Sequence, residues 1–209
     1  MQGFPRGPAY RIETRRLLLR CWNPEDAPMV VAAIEASLDH LQPWMDWAQQ
    51  EPEGLEAKAE RLRKFRGAFD LGQDFTYGIF TRDERDVIGG ADLHTSLGEG
   101  VREIGYWIHK EHIRRGLATE AAAALTKVAF EVTQVQRVEM HCDPNNVASL
   151  AVPRKLGYVH EATLRKRGLT PQGHRRDTMV WTLLAEEYPG SPSEQAEIKA
   201  YDVMGRQIL

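Results

Sequence analysis

The sequence contains few cysteines and no long apolar run. Cys21 and Cys142 are the two cysteines among 209 residues, too few and too isolated for a disulfide framework or a cysteine-based zinc site. No apolar stretch approaches the roughly 20 residues of a membrane span. The segment from Met1 to Arg6 also lacks the basic region and apolar stretch of a signal peptide. We therefore expect a cytoplasmic protein that holds no metal and does not bind a membrane.

A strong excess of one charge is missing as well. The chain has 27 Lys and Arg against 30 Asp and Glu, a formal net charge of −3, whereas bulk binding of nucleic acid needs a basic surface. The hydrophobic content of 42% and the charged content of 27% are ordinary for a globular domain. We expect no nucleic-acid partner.

The length suits one domain with an appendage. Residues 1–9 contain Gly and Pro and are predicted to be a loose lead-in. Residues 10–189 form the predicted domain, and residues 190–209 a C-terminal helical extension. In that extension Ser191-Pro192-Ser193-Glu194 has the pattern of a capping box, which predicts a helix over about 192–206.

Periodicity and turn signals predict an alternating order of strands and helices within the domain. Strands are predicted over 16–21, 75–81, 86–95, 101–110, 137–142, 158–165 and 176–184, and helices over 24–37, 55–69, 117–131 and 146–155. Strand 101–110, helix 117–131 and strand 137–142 make one βαβ unit, whose crossover is expected to be right-handed. The fold class is therefore α+β, with a mixed, largely antiparallel sheet, one parallel pair and flanking helices.

The turn from Arg114 to Thr119 leads directly into the helix over 117–131. A helix N-terminus presents unpaired N–H groups and partial positive charge, and Gly116 lets the backbone approach an anion closely. Ligands also bind at the carboxyl ends of parallel strands, which is where this turn lies. The turn is predicted to hold a diphosphate, although a plain helix start with solvated arginines has the same pattern.

Three longer runs carry a family resemblance. The runs IGYWIHKEHIRRGLATEA, HCDPNNVASLAVPRKLGY and RRDTMVWTLL resemble the GNAT superfamily of acyl-CoA N-acyltransferases. With ETRRLLLR and HLQPWMDWA, the chain is similar to the RimJ/RimL branch, which includes acetyltransferases of ribosomal-protein N-termini. The similarity spans about residues 12–186. It implies a twisted central sheet whose parallel pair is splayed at the acyl-CoA site, with acetyl-CoA as the cosubstrate.

The resemblance also implies roles for individual residues. The backbone near the end of strand 101–110 is expected to pair with the pantetheine arm, and Asn146 to contact it. Ile113 departs from the family pattern, which has Gln or Arg there. The residues expected to bind the cofactor are Trp107, Ile108, His109, Arg114, Arg115, Gly116, Leu117, Ala118, Thr119 and Asn146.

Acyl transfer to an amine needs a base, a donor to the oxyanion and a donor to the leaving thiolate. Glu103 is the leading candidate for the base, with His94 and His109 as further candidates. Ser149 is the candidate donor to the thiolate, because Pro153 stands where many GNAT enzymes have a tyrosine. By resemblance, the N–H of Ile108 or His109 faces the oxyanion.

The acceptor side is expected around Trp44 and Trp47, with His94 nearby. These aromatic residues could form a slot for a peptide end or a small amine, or else a core or dimer-interface cluster. The protein is therefore predicted to be a monomer or a homodimer.

The predicted function is acetyl-CoA-dependent N-acetylation of a primary amine, either a protein N-terminal α-amine or a small molecule. The amine attacks directly in a ternary complex, so no covalent intermediate is needed. One alternative is a non-catalytic acyl-CoA-binding or regulatory module. Another is an acyltransferase that uses a different donor, such as succinyl-CoA.

Overall fold

The computed structural model describes residues 8–170 and 172–209 and contains one sheet of nine strands. The strands are β1 (Arg11–Glu13), β2 (Leu17–Cys21), β3 (Phe75–Thr81), β4 (Val87–His94), β5 (Val101–Ile108), β6 (Arg137–Cys142), β7 (Val159–Leu169), β8 (Arg175–Leu184) and β9 (Lys199–Tyr201). The helices are α1 (Ala27–Glu35), α2 (Leu38–Leu41), α3 (Leu55–Asp70), α4 (Leu117–Glu131) and α5 (Val147–Lys155). Most of the predicted lead-in, residues 1–7, and Pro171 in the predicted tip of the last hairpin lie outside the described residues.

The sheet has the order β7-β8-β6-β5-β4-β3-β2-β1-β9, and β5–β6 is its parallel pair. The other neighbouring strands pair antiparallel. The predicted α+β fold, with a largely antiparallel sheet and one parallel pair, is therefore confirmed.

The parallel pairing is short. Its register ends at Glu103 opposite Glu139, although β5 continues to Ile108 and β6 to Cys142. Beyond that point β5 stays paired with β4, and β6 with β8. The carboxyl ends of β5 and β6 therefore diverge and leave a gap in the sheet.

Helix α4 packs on one face of the sheet at this gap. Its bounds agree with the prediction, because an alanine-rich segment with apolar residues at helical spacing has both high helix propensity and one apolar face. Ala121, Ala124 and Leu125 are fully buried. The small alanine side chains let the helix approach the strands closely, and its first turn lies at the end of β5.

Helices α1 and α3 cover part of the opposite face. Trp22, Val30 and Leu62 are buried there with Phe80. Helix α1 begins later than predicted, at Ala27, after a 3₁₀ turn over Pro24–Asp26. The Asp26 carboxylate accepts hydrogen bonds from the Arg20 guanidinium and the Asn23 N–H, so the first turn is shaped by that network.

After α1, the sequence predicts a Pro-containing loop over residues 38–50. This segment contains the single turn of α2 and a 3₁₀ turn over Asp46–Gln50, with Trp44 between them. The buried Ser37 hydroxyl accepts a hydrogen bond from the Lys110 N–H at 3.1 Å. This contact ties the segment to the end of β5.

The predicted C-terminal helix over about 192–206 is wrong. The Ser191 hydroxyl does accept the Glu194 N–H, as in a capping box, but the segment forms turns and then β9. Strand β9 pairs with β1, and Ala200 is fully buried. Covering the edge of the sheet buries apolar surface and pairs backbone groups, and this outweighs the local helix signal.

Of the helices in the described residues, none is both long and apolar enough to cross a membrane.

Gly89 allows β4 and β5 to approach closely. A Cβ at this position would lie 2.0 Å from the Trp107 carbonyl oxygen. We therefore predict that Gly89→Ala lowers the free energy of unfolding by about 2 kcal/mol, a typical cost of overpacking. The measurement is the denaturant midpoint. Gly67→Ala is the matched control, because Gly67 lies in α3 with no neighbouring atom within 4 Å of an added Cβ; it should be neutral or stabilising. Equal midpoints for the two variants would contradict the prediction.

Candidate active site

A cleft of about 540 Å³ lies between the end of β5 and α5, below the first turn of α4. We call it the donor cleft. Most of the residues predicted to bind the cofactor line it: Trp107, Ile108, Arg114, Gly116, Leu117, Ala118, Thr119 and Asn146. Arg115 and His109 do not line it, so the structure does not bring these two residues to the cleft.

The turn before α4 is held in a left-handed conformation. Gly116 is the N-cap, with φ 76°, and Arg114 also has a positive φ, of 60°. Ile113, the departure from the family pattern, lines the cleft beside Arg114 and is partly exposed. The helix therefore begins abruptly at the cleft, where its unpaired N–H groups favour an anion.

Arg16 fixes this turn from outside the cleft. Its Nη1 donates to the Arg115 carbonyl oxygen at 2.8 Å, and its Nε donates to Glu120 Oε2 at 2.6 Å. The Thr14 hydroxyl donates to Glu120 as well. Partial burial opposes ionisation of Glu120, but the hydrogen bonds from Thr14 and Arg16 outweigh it and lower the pKa of this carboxyl. Sequence analysis did not identify this network.

The end of β5 is tied to its neighbours on both sides. The His109 N–H donates to the Ile88 carbonyl at 2.8 Å, so it is not available to pantetheine or to an oxyanion. Of the two predicted oxyanion donors, this leaves Ile108. The Ile108 carbonyl accepts a hydrogen bond from His40 Nε2 at 2.9 Å, a contact that the sequence did not predict.

Ser149 lies in the first turn of α5, facing β5. The Asn146 side chain caps this helix by accepting the Ser149 N–H at 3.1 Å. Tyr106 Oη lies 3.1 Å from Ser149 Oγ and 3.2 Å from the Ser149 carbonyl oxygen. Burial raises the pKa of the Tyr106 phenol, so the phenol keeps its proton. Tyr106 was missed because a tyrosine on a strand is usually a packing residue.

A second cavity, of about 450 Å³, lies on the other face of the gap. We call it the acceptor chamber. Glu103, Gly105 and Trp107 share this face, as strand alternation predicts. Trp44, Trp107, Asn146 and Ser149 line both cavities. The donor cleft and the acceptor chamber therefore meet between β5 and β6.

The predicted acceptor residues Trp44, Trp47 and His94 all line the acceptor chamber. The Trp47 ring packs edge-to-face against Trp107, with ring centroids 6.0 Å apart. Both tryptophans line the chamber, and Trp47 also packs against the buried cluster of Trp22 and Phe80.

The lining of the acceptor chamber is rich in carboxylates, namely Asp46, Asp92, Glu103 and Asp143, with Arg176, His94 and His141 beside them. No group of three or more His, Cys, Asp or Glu residues within 8–170 and 172–209 is arranged to hold a metal ion. A chamber of this charge attracts cations, including a protonated amine.

His94 lies between two carboxylates. Its Nδ1 is 2.8 Å from Asp74 Oδ2, and its Nε2 is 3.8 Å from Asp92 Oδ2. The hydrogen bond with Asp74 raises the pKa of His94 to about 9. Partial burial opposes this shift, and the charge of Asp92 adds to it. Burial raises the pKa of Asp92 to about 6, although the charge of His94 opposes this. His94 is therefore protonated at neutral pH and is a poor candidate for a base.

Glu103 faces a histidine across the gap. Its Oε1 lies 3.5 Å from His141 Nδ1. His141 Nε2 lies 2.7 Å from Glu139 Oε2, and Arg137 Nε lies 2.8 Å from Glu139 Oε1. The sequence did not point to His141 or Glu139, because their contact with Glu103 depends on the register of β5 against β6.

The chain is similar to known acetyltransferases. The family model described as "Acetyltransferase (GNAT) domain" matches residues 16–159. The chain is 25% identical over 189 residues to the ribosomal protein uS5-alanine N-acetyltransferase of Escherichia coli (strain K12), covering 88% of the chain and 95% of that protein. It is 29% identical over 182 residues to the uncharacterized N-acetyltransferase YnaD of Bacillus subtilis (strain 168), covering 85% and 98%.

A similar solved structure is Mycobacterium smegmatis RimJ in complex with CoA-disulfide. It superposes with a TM-score of 0.77 at 23% identity, covering 90% of this chain and 94% of that one. This likeness shows the fold.

The charge of His94 can be measured directly. We predict that its ring titrates near pH 9, as followed by NMR, because Asp74 stabilises the protonated form. Asp74→Asn removes that partner and should move the midpoint towards the value of about 6.5 for an unperturbed histidine. Asp86→Asn, at an exposed position before β4, is the control and should leave it unchanged. A midpoint that stays near 9 in Asp74→Asn would show that another group holds the proton.

Proposed function

Because the chain belongs to the acetyltransferase (GNAT) domain family and is an acyltransferase enzyme, we propose that it transfers an acetyl group from acetyl-CoA to a primary amine. The observation that carries this proposal is the junction of the donor cleft and the acceptor chamber in the gap between β5 and β6. Glu103 and Ser149 lie on the two faces of that junction. A thioester that entered from one side would meet an amine that entered from the other.

The donor cleft suits acetyl-CoA. The first turn of α4, opened by Gly116, offers N–H groups and a helix dipole to the diphosphate. The diverging edge of β5 offers backbone groups to the amide-containing pantetheine arm. The Asn146 oxygen is used in capping α5, so its NH₂ group is the part that faces a ligand.

The acetyl transfer follows from these positions. Glu103 takes a proton from the attacking amine as its nitrogen bonds to the thioester carbonyl carbon. The resulting oxyanion accepts a hydrogen bond from a backbone N–H on the gap-facing edge of β5 near Glu103. Ile108 lies about 16 Å further along the extended strand, too far to contact the same tetrahedral centre. When the C–S bond breaks, the sulfur leaves as a thiolate and accepts a hydrogen bond from the Ser149 hydroxyl. Tyr106 can donate to the Ser149 carbonyl, which leaves the serine proton free for the sulfur.

The acceptor is a primary amine that binds in the acceptor chamber. The Escherichia coli relative is named for the N-terminal alanine of a ribosomal protein, which favours a protein α-amine or a small amine of similar size. An α-amine has a pKa of about 7.7–8.0, compared with about 10.4 for a lysine side chain, so it loses its proton more easily.

The carboxylates that line the acceptor chamber favour acetyl-CoA over succinyl-CoA as the acyl donor. Succinyl-CoA would carry a second carboxylate into a chamber whose carboxylates outnumber the positive charges of His94 and Arg176, so like charges repel. Acetyl-CoA has no such group, so acetyl transfer is favoured over succinyl transfer.

The function is tested by release of the CoA thiol and by a mass increase of one acetyl group on the acceptor. The acceptors are peptides with N-terminal Ala or Ser and a panel of small amines. We predict transfer from acetyl-CoA, and slower transfer from succinyl-CoA at equal concentration. Tight binding of acetyl-CoA with no thiol release above hydrolysis, for any amine, would instead indicate a regulatory acyl-CoA-binding module.

Glu103 is tested by Glu103→Gln, which keeps the size of the side chain and removes the base. We predict that kcat/KM falls by about 10²–10⁴-fold, the usual contribution of general base catalysis. The fall should be larger for alkylamines than for α-amines, because alkylamines hold their proton more strongly. The matched control is Glu99→Gln in the exposed turn between β4 and β5, which should behave as wild type. Equal rates for the two variants would remove Glu103 from the reaction.

A further inference from the structure

We propose that His141 is a positioning residue that supports Glu103 by taking up the proton that Glu103 removes from the acceptor amine. This inference rests on the proposed function. It assigns His141 and Glu139 a joint role in proton transfer.

The first observation is a buried carboxylate that the reaction described so far does not use. Glu139 is 7% exposed and lies in the middle of the sheet. Burying a carboxylate is costly unless it is paired, and Glu139 is paired with His141 and Arg137. The neighbours Val138, Met140 and Cys142 are buried in the core on the other face of β6. Alternation along β6 thus turns Glu139 and His141 away from the core, towards the face that bears Glu103.

The second observation is the orientation of the imidazole ring. Nε2 is at hydrogen-bond distance from Glu139, and because a carboxylate only accepts, Nε2 carries the proton of this bond. In a neutral ring Nδ1 is then the acceptor, and Nδ1 is the atom 3.5 Å from Glu103 Oε1. This separation is beyond a normal hydrogen bond, as expected when two acceptors face each other. In that tautomer the ring presents a lone pair to Glu103.

This arrangement defines the proton path. Glu103 gains an O–H bond when the amine nitrogen loses its proton. The new hydroxyl can donate to Nδ1, and transfer along that bond gives an imidazolium and restores the Glu103 carboxylate. The imidazolium then donates to Glu139 through Nε2 and to Glu103 through Nδ1. The proton leaves to water through the acceptor chamber before the next turnover.

The two carboxylates beside His141 favour this transient charge, whereas the positive charges of Arg137, Arg176 and His94 oppose it. Glu103 faces it from β5, and Glu139 and Arg137 share its own strand. Asp92 and His94 lie beyond Glu103 on β4, and Asp143 and Arg176 line the same chamber from the end of β6 and from β8. Because His94 already holds a proton, it cannot replace His141 as the acceptor.

The test is His141→Gln in the full-length protein, assayed for kcat/KM against pH. Gln can hydrogen-bond to one carboxylate but cannot accept the proton. We expect the plateau to fall about 10-fold, a typical cost of losing a group that supports a catalytic residue. The acid limb of the profile should also move to lower pH, because the proton acceptor is then a carboxylate alone, and carboxylates as a class titrate below imidazoles.

Two further variants are compared with His141→Gln. His160→Gln makes the same substitution at an exposed site on β7 outside the chamber, and it should keep both the plateau and the acid limb. Glu139→Gln keeps an oxygen that accepts from Nε2, so it should lose less activity than His141→Gln. Melting temperature and acetyl-CoA binding identify any variant that has not folded.

The outcomes separate this inference from the proposed function. If the wild type acetylates amines but His141→Gln lowers the plateau without moving the acid limb, His141 is only structural and the inference is wrong. A kcat/KM plateau in His141→Gln equal to that of the wild type overturns the inference as well. If the wild type acetylates no amine, the proposed function itself fails.

Discussion

The early end of the parallel pairing between β5 and β6 is the constraint on which the site depends. After Glu103 and Glu139 the two strands keep only their antiparallel partners, β4 and β8. The gap exposes one backbone edge of β5 and brings the two faces of the sheet into one opening. Glu103 then lies on the acceptor side, and Ser149 lies beside Tyr106 on the side of α5. A continuous sheet would keep these groups apart.

The sequence predicts correctly those elements whose local composition or periodicity is distinctive. The bounds of α4 and β6 follow from alanine content and alternation, and the anion-binding turn follows from Gly116 at a helix start. In contrast, the contact of Arg16 with the Arg115 carbonyl and Glu120 joins segments about a hundred positions apart. The strands β1 and β9 have three residues each. Strand β1 forms because it pairs with β2 and β9, and β9 forms because it pairs with β1. Such features depend on tertiary contacts that local pattern does not encode.

His141 and Tyr106 illustrate the same limit within the site. Each stands on a strand, where histidine and tyrosine are ordinary packing residues. Their significance comes from register, because His141 faces Glu103 only when Glu103 pairs with Glu139, and Tyr106 meets Ser149 only when α5 packs over β5. The predicted oxyanion donors show that a residue at the predicted position can still be unavailable for its predicted role. His109 lies at the expected position, but its N–H already donates to the Ile88 carbonyl.

In the proposed reaction, the charge of the acceptor chamber has two opposing effects on the amine. Carboxylates attract an ammonium ion, and the same carboxylates raise the pKa of the bound amine, so that it loses its proton less easily. Two features reduce this cost. Asp92, whose pKa burial raises to about 6, is compensated by the protonated His94, so the chamber is less negative than its carboxylates suggest. In the proposed reaction, the remaining proton needs a base whose conjugate acid is itself stabilised, and the His141 ring beside Glu103 provides that stabilisation. The carboxylates of the chamber and His141 then act together, because the carboxylates retain the ammonium ion and His141 takes up the proton that the base removes.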